Sequence, residues 1–202
     1  GLNTQFNTRT PDCSIFISRE LKQAAFSLLS PQFSDLKSRP LICLCPGSVN
    51  SEAKRWPADY FSELTNLLTK EFNAIVIFVG ASSEYEMIQS IINQSGADNI
   101  LNLAGKTDLE NSLGVMNLCD LVISNDTGSA HLAVAAGGKV LTIFGPTIPG
   151  ATAPFGHDAQ ILRIKTNCSP CRHFSCPLSD HPCMRSIKPA AVIQQVSTMI
   201  RQ

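Results

Sequence analysis

The side chains best placed for chemistry lie between Ser124 and His131, in the segment Ser-Asn-Asp-Thr-Gly-Ser-Ala-His. An apolar run precedes this segment and a run of small helix-forming residues follows it, so Asp126 or Thr127 can cap a helix. Gly128 allows a ligand to approach the backbone closely. His131 follows Thr127 by four residues and therefore lies on the same helical face. Because a helix N-terminus favours a phosphate, we predict an anion site here; the alternative is that His131 is a structural histidine.

Residues 46–57, Pro-Gly-Ser-Val-Asn-Ser-Glu-Ala-Lys-Arg-Trp-Pro, also have the features of an anion site. A Gly-Ser turn leaves a predicted strand, and the adjacent cations Lys54 and Arg55 precede a helix that begins at Pro57. Free backbone N–H groups, the Ser48 hydroxyl and a cation near a helix N-terminus can together bind an anion. The segment is neither a GxxxxGK[ST] phosphate loop nor a GxGxxG dinucleotide motif. The alternative is that both cations are solvated surface charges.

A carboxylate follows the next predicted strand, in the segment Gly-Ala-Ser-Ser-Glu at 80–84. Ser82 or Ser83 can cap the following helix, and Glu84 is favourable in its first turn. That local role would explain these residues by itself. Because Glu84 follows the carboxyl end of a strand, it could instead accept hydrogen bonds from the hydroxyl groups of a ligand.

Four cysteines fall within sixteen residues, in a tract at 166–188 that is rich in Cys, Pro, Ser and His. They are Cys168, Cys171, Cys176 and Cys183, and they follow the pattern C-x2-C-x4-C-x6-C. Four thiols could hold a structural zinc ion, and the first pair has the spacing of zinc ligands. Disulfides and free thiols are the alternatives. We expect the tract to be peripheral to the chemistry.

An open parallel sheet is predicted to position these segments. Short apolar runs alternate with segments of helical periodicity, and strands that are apolar throughout are buried on both faces of a sheet. The pattern therefore predicts an α/β fold, a Rossmann-like open parallel sheet with helices on both faces. Ligands bind such sheets beyond the carboxyl ends of the strands, where the three polar segments lie. The predicted strands occupy residues 41–45, 74–79, 100–103, 120–124, 140–144 and 161–164.

Composition excludes several classes of protein. The chain has 202 residues, enough for one large domain, with 16 basic and 16 acidic side chains and a formal net charge of zero. This balance excludes nucleic acid as the main partner, since binding a phosphate backbone needs a basic surface. With 44% apolar residues, disorder is excluded as the main state. The sequence contains no apolar stretch of the length that a membrane span needs.

The polar segments, in this order, resemble the C-terminal half of glycosyltransferase family 9, the bacterial ADP-heptose:lipopolysaccharide heptosyltransferases. The similarity extends over residues 41–200 and is greatest to the heptosyltransferase II branch. It implies the GT-B architecture, in which two Rossmann-like domains face each other across a cleft and the C-terminal one binds the nucleotide sugar. The matching stretches are PGSVNSEAKRWP at 46–57, NLAGKTDL at 102–109 and SNDTGSAHLAVAAGGKVLTIFGPT at 124–147.

The resemblance implies that five of the candidate residues surround the diphosphate of the donor. Ser48 and Lys54 would contact it, and Lys54 would be the catalytic residue that stabilises the charge of the leaving ADP. Thr127 and Gly128 would offer backbone N–H groups to the phosphates. His131 would lie against the same group.

The remaining two candidates are carboxylates with roles at either side of the diphosphate. By the same resemblance, Glu84 would bind the ribose hydroxyls and Asp126 the hydroxyls of the heptose. The implied reaction is inverting, with an acceptor hydroxyl displacing ADP, and it requires no cofactor. Zinc in the cysteine tract would be structural.

The chain departs from the family in its length, since full members are about twice as long and nothing before residue 41 could form a second Rossmann domain. We assign residues 1–40 to an arm and an interdomain linker with a weak helix, and residues 41–202 to a domain that binds ADP-L-glycero-D-manno-heptose or ADP. No candidate for the general base is present, so this domain is expected not to transfer by itself.

The expected partners are the N-terminal acceptor domain of the same enzyme and, through that domain, the lipid A–core acceptor. The expected location is the cytoplasm, with the acceptor domain at the inner face of the inner membrane. The alternative function is a stand-alone nucleotide-binding regulatory module without catalytic activity.

Overall fold

Six strands form a parallel sheet in the computed structural model, which describes residues 13–36 and 38–200. They are β1 (Leu41–Cys45), β2 (Ile75–Phe78), β3 (Ile100–Asn102), β4 (Leu121–Asn125), β5 (Val140–Phe144) and β6 (Ala159–Arg163). Every residue of β1, β2, β4 and β5 is buried. Burial of this kind is what continuous apolar runs predict for a sheet that is covered on both faces.

The strand order β3-β2-β1-β4-β5-β6 places β1 at the centre of the sheet. Leu44 of β1 lies opposite Phe78 of β2 on one side and opposite Ile123 of β4 on the other. The chain builds outward from β1 to β3 and then returns to the opposite side of β1. The side to which successive strands are added therefore changes between β1 and β4, although all strands stay parallel. A crevice forms beyond the carboxyl ends of these two strands. This is the doubly wound order of a Rossmann-like sheet, and it confirms the predicted fold class.

Helices cover both faces of the sheet. The apolar side chains of α2, α3 and α8 pack with Ile42 and Leu44 of β1, whereas those of α1, α4 and α5 pack with Cys43 and Cys45. The alternation follows from the two-residue period of a strand. No helix in the described ranges is long and apolar enough to cross a membrane. The helices are α1 (Arg19–Leu29), α2 (Ala58–Phe72), α3 (Tyr85–Ser95), α4 (Leu109–Leu118), α5 (Gly128–Ala135), α6 (Pro149–Thr152), α7 (Pro182–Arg185) and α8 (Pro189–Ile200).

The strand bounds differ from the predicted runs chiefly at the edge of the sheet. The predicted run 140–144 coincides with β5, but β6 begins two residues before the predicted run 161–164. Ala159 and Gln160 pair with Val140 and Leu141 of β5. As an edge strand, β6 is only partly buried, so its first residues need not be strongly apolar.

Helix α1 packs into the same core as the sheet, although its sequence suggests only a linker helix. Ala25 and Leu29 are fully buried, and a Cβ on Gly114 of α4 would lie 3.0 Å from the Cβ of Ala25. The absent side chain at Gly114 thus lets the two helices approach closely. The Ser18 hydroxyl accepts a hydrogen bond from the Leu21 N–H and caps the helix. The predicted arm at residues 1–12 lies outside the described residues.

Shortening the buried leucine of α1 tests whether this helix contributes to the stability of the sheet domain. Leu29 has no exposed surface, whereas its neighbour Leu28 is 36% exposed. Leu29→Ala is expected to lower the free energy of unfolding by about 2–5 kcal/mol, because it leaves a cavity in the core. Leu28→Ala is the matched control and should change it by about 0.5 kcal/mol at most. Urea denaturation measures both, and equal effects would mean that α1 is not part of the cooperative unit.

Candidate functional site

A cavity of about 550 Å³ opens beyond the carboxyl ends of β1, β2 and β4, at the point where the side to which strands are added changes. This is the position at which doubly wound sheets bind ligands, and the volume lies within the usual range for ligand sites. Seven residues were predicted to bind the donor, and the structure brings six of them together at this cavity. They are Ser48, Lys54, Glu84, Asp126, Thr127 and Gly128.

Lys54 is held at the cavity by an ion pair with a buried carboxylate. Its Nζ lies 3.1 Å from Oδ2 of Asp126 and donates to the main-chain carbonyl of the same residue, also at 3.1 Å. Asp126 is 3% exposed, whereas the Lys54 side chain is 24% exposed. The hydroxyl groups of Thr147 and Thr152 donate hydrogen bonds to Oδ2 of Asp126, at 2.6 and 3.2 Å. This network fixes the ammonium group at the cavity, which Lys54 lines.

Arg55, the second cation of the segment, has a different task. Its Nε and Nη2 donate to the carbonyl oxygen of Ser48 at 3.2 and 3.0 Å. The guanidinium group therefore ties the turn that carries Ser48, a residue only 3% exposed, to the segment that carries Lys54. Arg55 is thus neither a free surface charge nor a demonstrated anion ligand in this structure. It is a positioning residue for the loop after β1.

Asn125, the last residue of β4, joins the two central strands at the floor of the site. It is fully buried, and its Nδ2 donates to the carbonyl of Pro46 at 2.7 Å. Its Oδ1 accepts a hydrogen bond from the N–H of Trp56 at 3.1 Å. No role was predicted for Asn125, although two polar residues, Ser124 and Asn125, at the end of a buried apolar run are a usable signal. Because a buried amide needs partners, it fixes the distance between the β1 and β4 loops.

Glu84 lies at the end of the cavity next to β2. It is 9% exposed, and its Oε2 accepts a hydrogen bond from the N–H of Ala81 at 2.9 Å. A Cβ on Gly47 would lie 1.9 Å from Oε1, and a Cβ on Gly80 would lie 2.7 Å from Oε2. The two glycines therefore leave the space that the carboxylate occupies. The Glu84 carboxylate caps the turn through the N–H of Ala81 and also lines the cavity, so the capping role and a ligand-binding role are compatible.

The N-terminus of α5 forms another wall. Thr127 is the N-cap, with extended backbone angles of φ −144° and ψ 176°. Within the described residues, no heavy atom beyond its chain neighbours and its own helix lies within 4 Å of a Cβ built on Gly128, so that residue faces open space. A helix of eight residues presents a partial positive charge at this end. The wall can therefore accept an anion, as the sequence predicts.

His131 is the one candidate that the structure does not bring to the cavity. Its side chain is exposed on α5, three residues after Gly128, and it is not among the residues that line the cavity. Its spacing from Thr127 does not bring it to the cavity, because its side chain is exposed to solvent. Its proposed contact with a phosphate remains a prediction.

The cysteine tract holds free thiols in this structure. Among the residues that the structure describes, no three His, Cys, Asp or Glu side chains converge to form a metal site. The zinc ligand set offered by Cys168, Cys171, Cys176 and Cys183 is therefore not assembled. Cys183 is buried at the start of α7, whereas the other three are half-buried in irregular backbone. Burial, and after it the neighbouring thiols of Cys168, Cys176 and Cys171, raise the pKa of the Cys183 thiol to about 11.

One residue of this tract reaches the candidate site. Phe174 lines the cavity, and its main-chain carbonyl accepts hydrogen bonds from the N–H of Ala53 at 2.9 Å and from the Ser51 hydroxyl at 3.1 Å. The tract is thereby joined to the segment that carries Lys54. The expectation that the tract is peripheral to the chemistry stays a prediction, but one of its residues lies at the cavity. Spacing along the chain could not have indicated it, because more than 100 residues separate the two segments.

A second cavity, of about 510 Å³, lies near the amino ends of β1 and β4, opposite the first cavity. Among the described residues that line it, the charged side chains are Arg39 and Asp120. Asp120 accepts a hydrogen bond from the N–H of Leu41 at 2.8 Å, and Arg39 donates to the carbonyl of Asn73 at 2.7 Å. Both are engaged in local structure, so we place the candidate site at the first cavity.

The chain is similar to known proteins over most of its length. Over 186 residues the chain is 29% identical to lipopolysaccharide heptosyltransferase 2 of Salmonella typhimurium, a match that covers 91% of this chain and 53% of that protein. It is 33% identical over 166 residues to lipooligosaccharide heptosyltransferase 2 of Campylobacter jejuni, covering 81% and 52%. The chain therefore spans about half the length of the curated relatives it matches.

The fold is shared with solved structures. The structure of Escherichia coli ADP-heptose lipopolysaccharide heptosyltransferase II matches with a TM-score of 0.77 at 26% identity, covering 94% of this chain and 54% of that one. The architecture is accordingly that of a Rossmann-like domain of a GT-B glycosyltransferase. The sequence matches glycosyltransferase family 9 (heptosyltransferase) over residues 3–181. The chain belongs to glycosyltransferase family 9, the heptosyltransferases.

Proposed function

We propose that this chain is the donor-binding domain of a heptosyltransferase that acts on the inner core of lipopolysaccharide, and that its ligand is ADP-L-glycero-D-manno-heptose. The observation that carries the proposal is the Lys54 ammonium group, fixed by Asp126 at a cavity that also contains the N-terminus of α5. Such a pair of positive features suits a diphosphate. The names of the relatives, and of the E. coli neighbour in particular, supply the nucleotide sugar.

The diphosphate would lie at the centre of the cavity. Lys54 would contact it directly, and the Ser48 hydroxyl and the N–H groups of Thr127 and Gly128 would donate hydrogen bonds to its oxygens. His131 would approach the same group from the exposed side of α5, after a rotation of its side chain. These assignments follow the resemblance, and the convergence of Ser48, Lys54, Thr127 and Gly128 on one cavity supports them.

The nucleoside would lie towards β2. Glu84, which lines that end of the cavity, would accept hydrogen bonds from the ribose hydroxyls, and Met116 and Leu132 would form an apolar wall for the base. Asp126 would accept a hydrogen bond from a heptose hydroxyl in addition to holding Lys54. The site thereby separates a nucleoside end from a sugar end, with the diphosphate between them.

The reaction would be an inverting displacement at the anomeric carbon. A carboxylate base from the acceptor domain removes the proton of an acceptor hydroxyl, whose oxygen forms the new bond. The bond from the anomeric carbon to the phosphate oxygen breaks, and ADP leaves with the electron pair. The share of this domain is to stabilise the charge on ADP, through Lys54 and the N-terminus of α5. The scheme requires no cofactor.

The remaining partners belong to the same proposal. The lipid A–core acceptor would reach the site through the N-terminal acceptor domain, on the cytoplasmic side of the inner membrane. By itself the 202-residue chain would bind the donor without transferring heptose.

Calorimetry with ADP and UDP tests the proposed ligand. ADP is expected to bind, and UDP to bind about tenfold more weakly, because its smaller base covers less of the apolar wall near Met116. ADP-heptose incubated with the chain and a lipid A–core acceptor should yield no product unless an acceptor domain is added. Equal affinity for the two nucleotides, or no binding of ADP, would contradict the proposed function.

A further inference from the structure

We propose that Phe174 contacts the sugar of the donor and thereby helps to select it, an inference that rests on the function proposed above. Phe174 lines the cavity although it belongs to the cysteine tract, and 74% of its surface is exposed. Val49, which follows Ser48, lines the same cavity and is 72% exposed. Two large apolar side chains thus lie exposed at a cavity that also holds the Lys54–Asp126 ion pair.

The backbone around Phe174 is held firmly. Its carbonyl accepts hydrogen bonds from Ala53 and Ser51, and Ser51 donates to the carbonyl of His173 as well, at 3.5 Å. The ring of His181 donates from Nε2 to the carbonyl of Ala53 at 2.9 Å. Ala53 belongs to the 3₁₀ turn Glu52–Lys54, which also carries Lys54, the residue proposed to bind the diphosphate. A fixed backbone with an exposed ring is a preorganised contact surface rather than a loosely attached loop.

The position of Phe174 along the sheet edge indicates which part of the ligand it meets. Glu84 lies at the β2 end of the cavity, and the Lys54–Asp126 pair lies beyond β1 and β4. The cysteine tract joins the loop after β5 to the segment after β1. Cys171 and Arg172 donate main-chain N–H groups to the carbonyl of Pro146, and the carbonyl of Phe174 accepts from Ser51 and Ala53. Strands β2, β1, β4 and β5 are consecutive in the sheet. A ligand with its nucleoside at Glu84 and its diphosphate at Lys54 therefore extends its sugar towards Phe174.

An aromatic ring is a suitable surface for a sugar. The hydroxyl groups of a pyranose are satisfied by polar partners such as Asp126, while its C–H groups form an apolar patch. Packing that patch against Phe174 removes apolar area of both partners from water. ADP has no atoms at this end of the site. The ring should therefore contribute to binding of ADP-heptose and not to binding of ADP.

The test compares two ligands in one pair of variants. Calorimetry with ADP-L-glycero-D-manno-heptose is expected to give an affinity about five- to tenfold lower for Phe174→Ala than for the unaltered chain. The affinity for ADP should change less than twofold. Phe174→Tyr, which keeps the ring, should retain most of the affinity for the nucleotide sugar. Because the ring is exposed, these changes are not expected to disturb the fold.

Phe155→Ala is the matched control, since Phe155 is 59% exposed and is not among the residues that line the cavity. It should leave both affinities unchanged. If Phe174→Ala weakens ADP and ADP-heptose equally, or weakens neither, the contact with the sugar is refuted while the proposed function stands. If the unaltered chain binds neither ligand, the proposed function fails and this inference fails with it.

Discussion

Lys54→Ala is expected to weaken the binding of ADP by about 10- to 100-fold, which is the effect of losing a charge-assisted hydrogen bond of about 1.5–3 kcal/mol. The variant also leaves Asp126 buried without its ion-pair partner. An unpaired buried carboxylate lowers the free energy of unfolding. The unpaired carboxylate of Asp126 would also repel the diphosphate. The single variant therefore combines a direct and an indirect effect on binding.

A double variant separates the two effects. In Lys54→Ala/Asp126→Asn both charges are absent, and the asparagine can still accept hydrogen bonds from Thr147 and Thr152. Its stability in urea should recover towards that of the unaltered chain, while its affinity for ADP should stay low. Recovery of ADP binding in the double variant would show that Lys54 only neutralises Asp126. Lys70→Ala, at an exposed lysine of α2, is the control for a general loss of positive charge.

Gly47→Ala is expected to weaken ADP binding by about tenfold with little effect on folding. The new Cβ would lie 1.9 Å from Oε1 of Glu84, closer than two unbonded atoms can come, so the carboxylate must move. The end of a flexible side chain can move at low cost, but Glu84 then leaves the place from which it would bind the ribose. The loss of one hydrogen bond to a charged group, about 1.5 kcal/mol, accounts for the expected tenfold change.

A double-mutant cycle shows whether the effect passes through Glu84. Glu84→Ala should weaken ADP to the same extent as Gly47→Ala, and the double variant should be no weaker than either, because contacting residues are not additive. Full additivity would mean that Gly47 acts through another route. Gly150→Ala is the matched control, since no described heavy atom beyond its chain neighbours and its own helix lies within 4 Å of a Cβ there.

The agreement between sequence and structure is greatest where one physical rule governs a residue. Apolar runs that must be buried on both faces predict β1 and β5 correctly, and Gly128 after a strand correctly predicts the start of a helix. The weak pattern of α1 gave no indication that Ala25 packs against α4. That contact depends on the missing side chain at Gly114, about 90 residues further along the chain. Local periodicity carries no information about such a partner.

The candidate site divides in the same way. The residue types that suit a diphosphate, Lys54 and the Thr-Gly start of α5, are visible in the sequence because each follows a strand. That Lys54 pairs with Asp126, that Arg55 holds the Ser48 turn and that Phe174 reaches the cavity are contacts between distant segments.

By itself, the sequence determined the alternation of strands and helices and the chemical character of the loops, because both depend on neighbours a few residues apart. The tertiary structure alone decided which charges form ion pairs and which loops hold each other in place. It also decided that the cysteine tract contributes a side chain to the cavity. Those outcomes depend on the crossing of the chain from β3 to β4, which brings β1 and β4 together at the centre of the sheet. A distance in space between remote segments is set by packing, and no spacing along the chain specifies it.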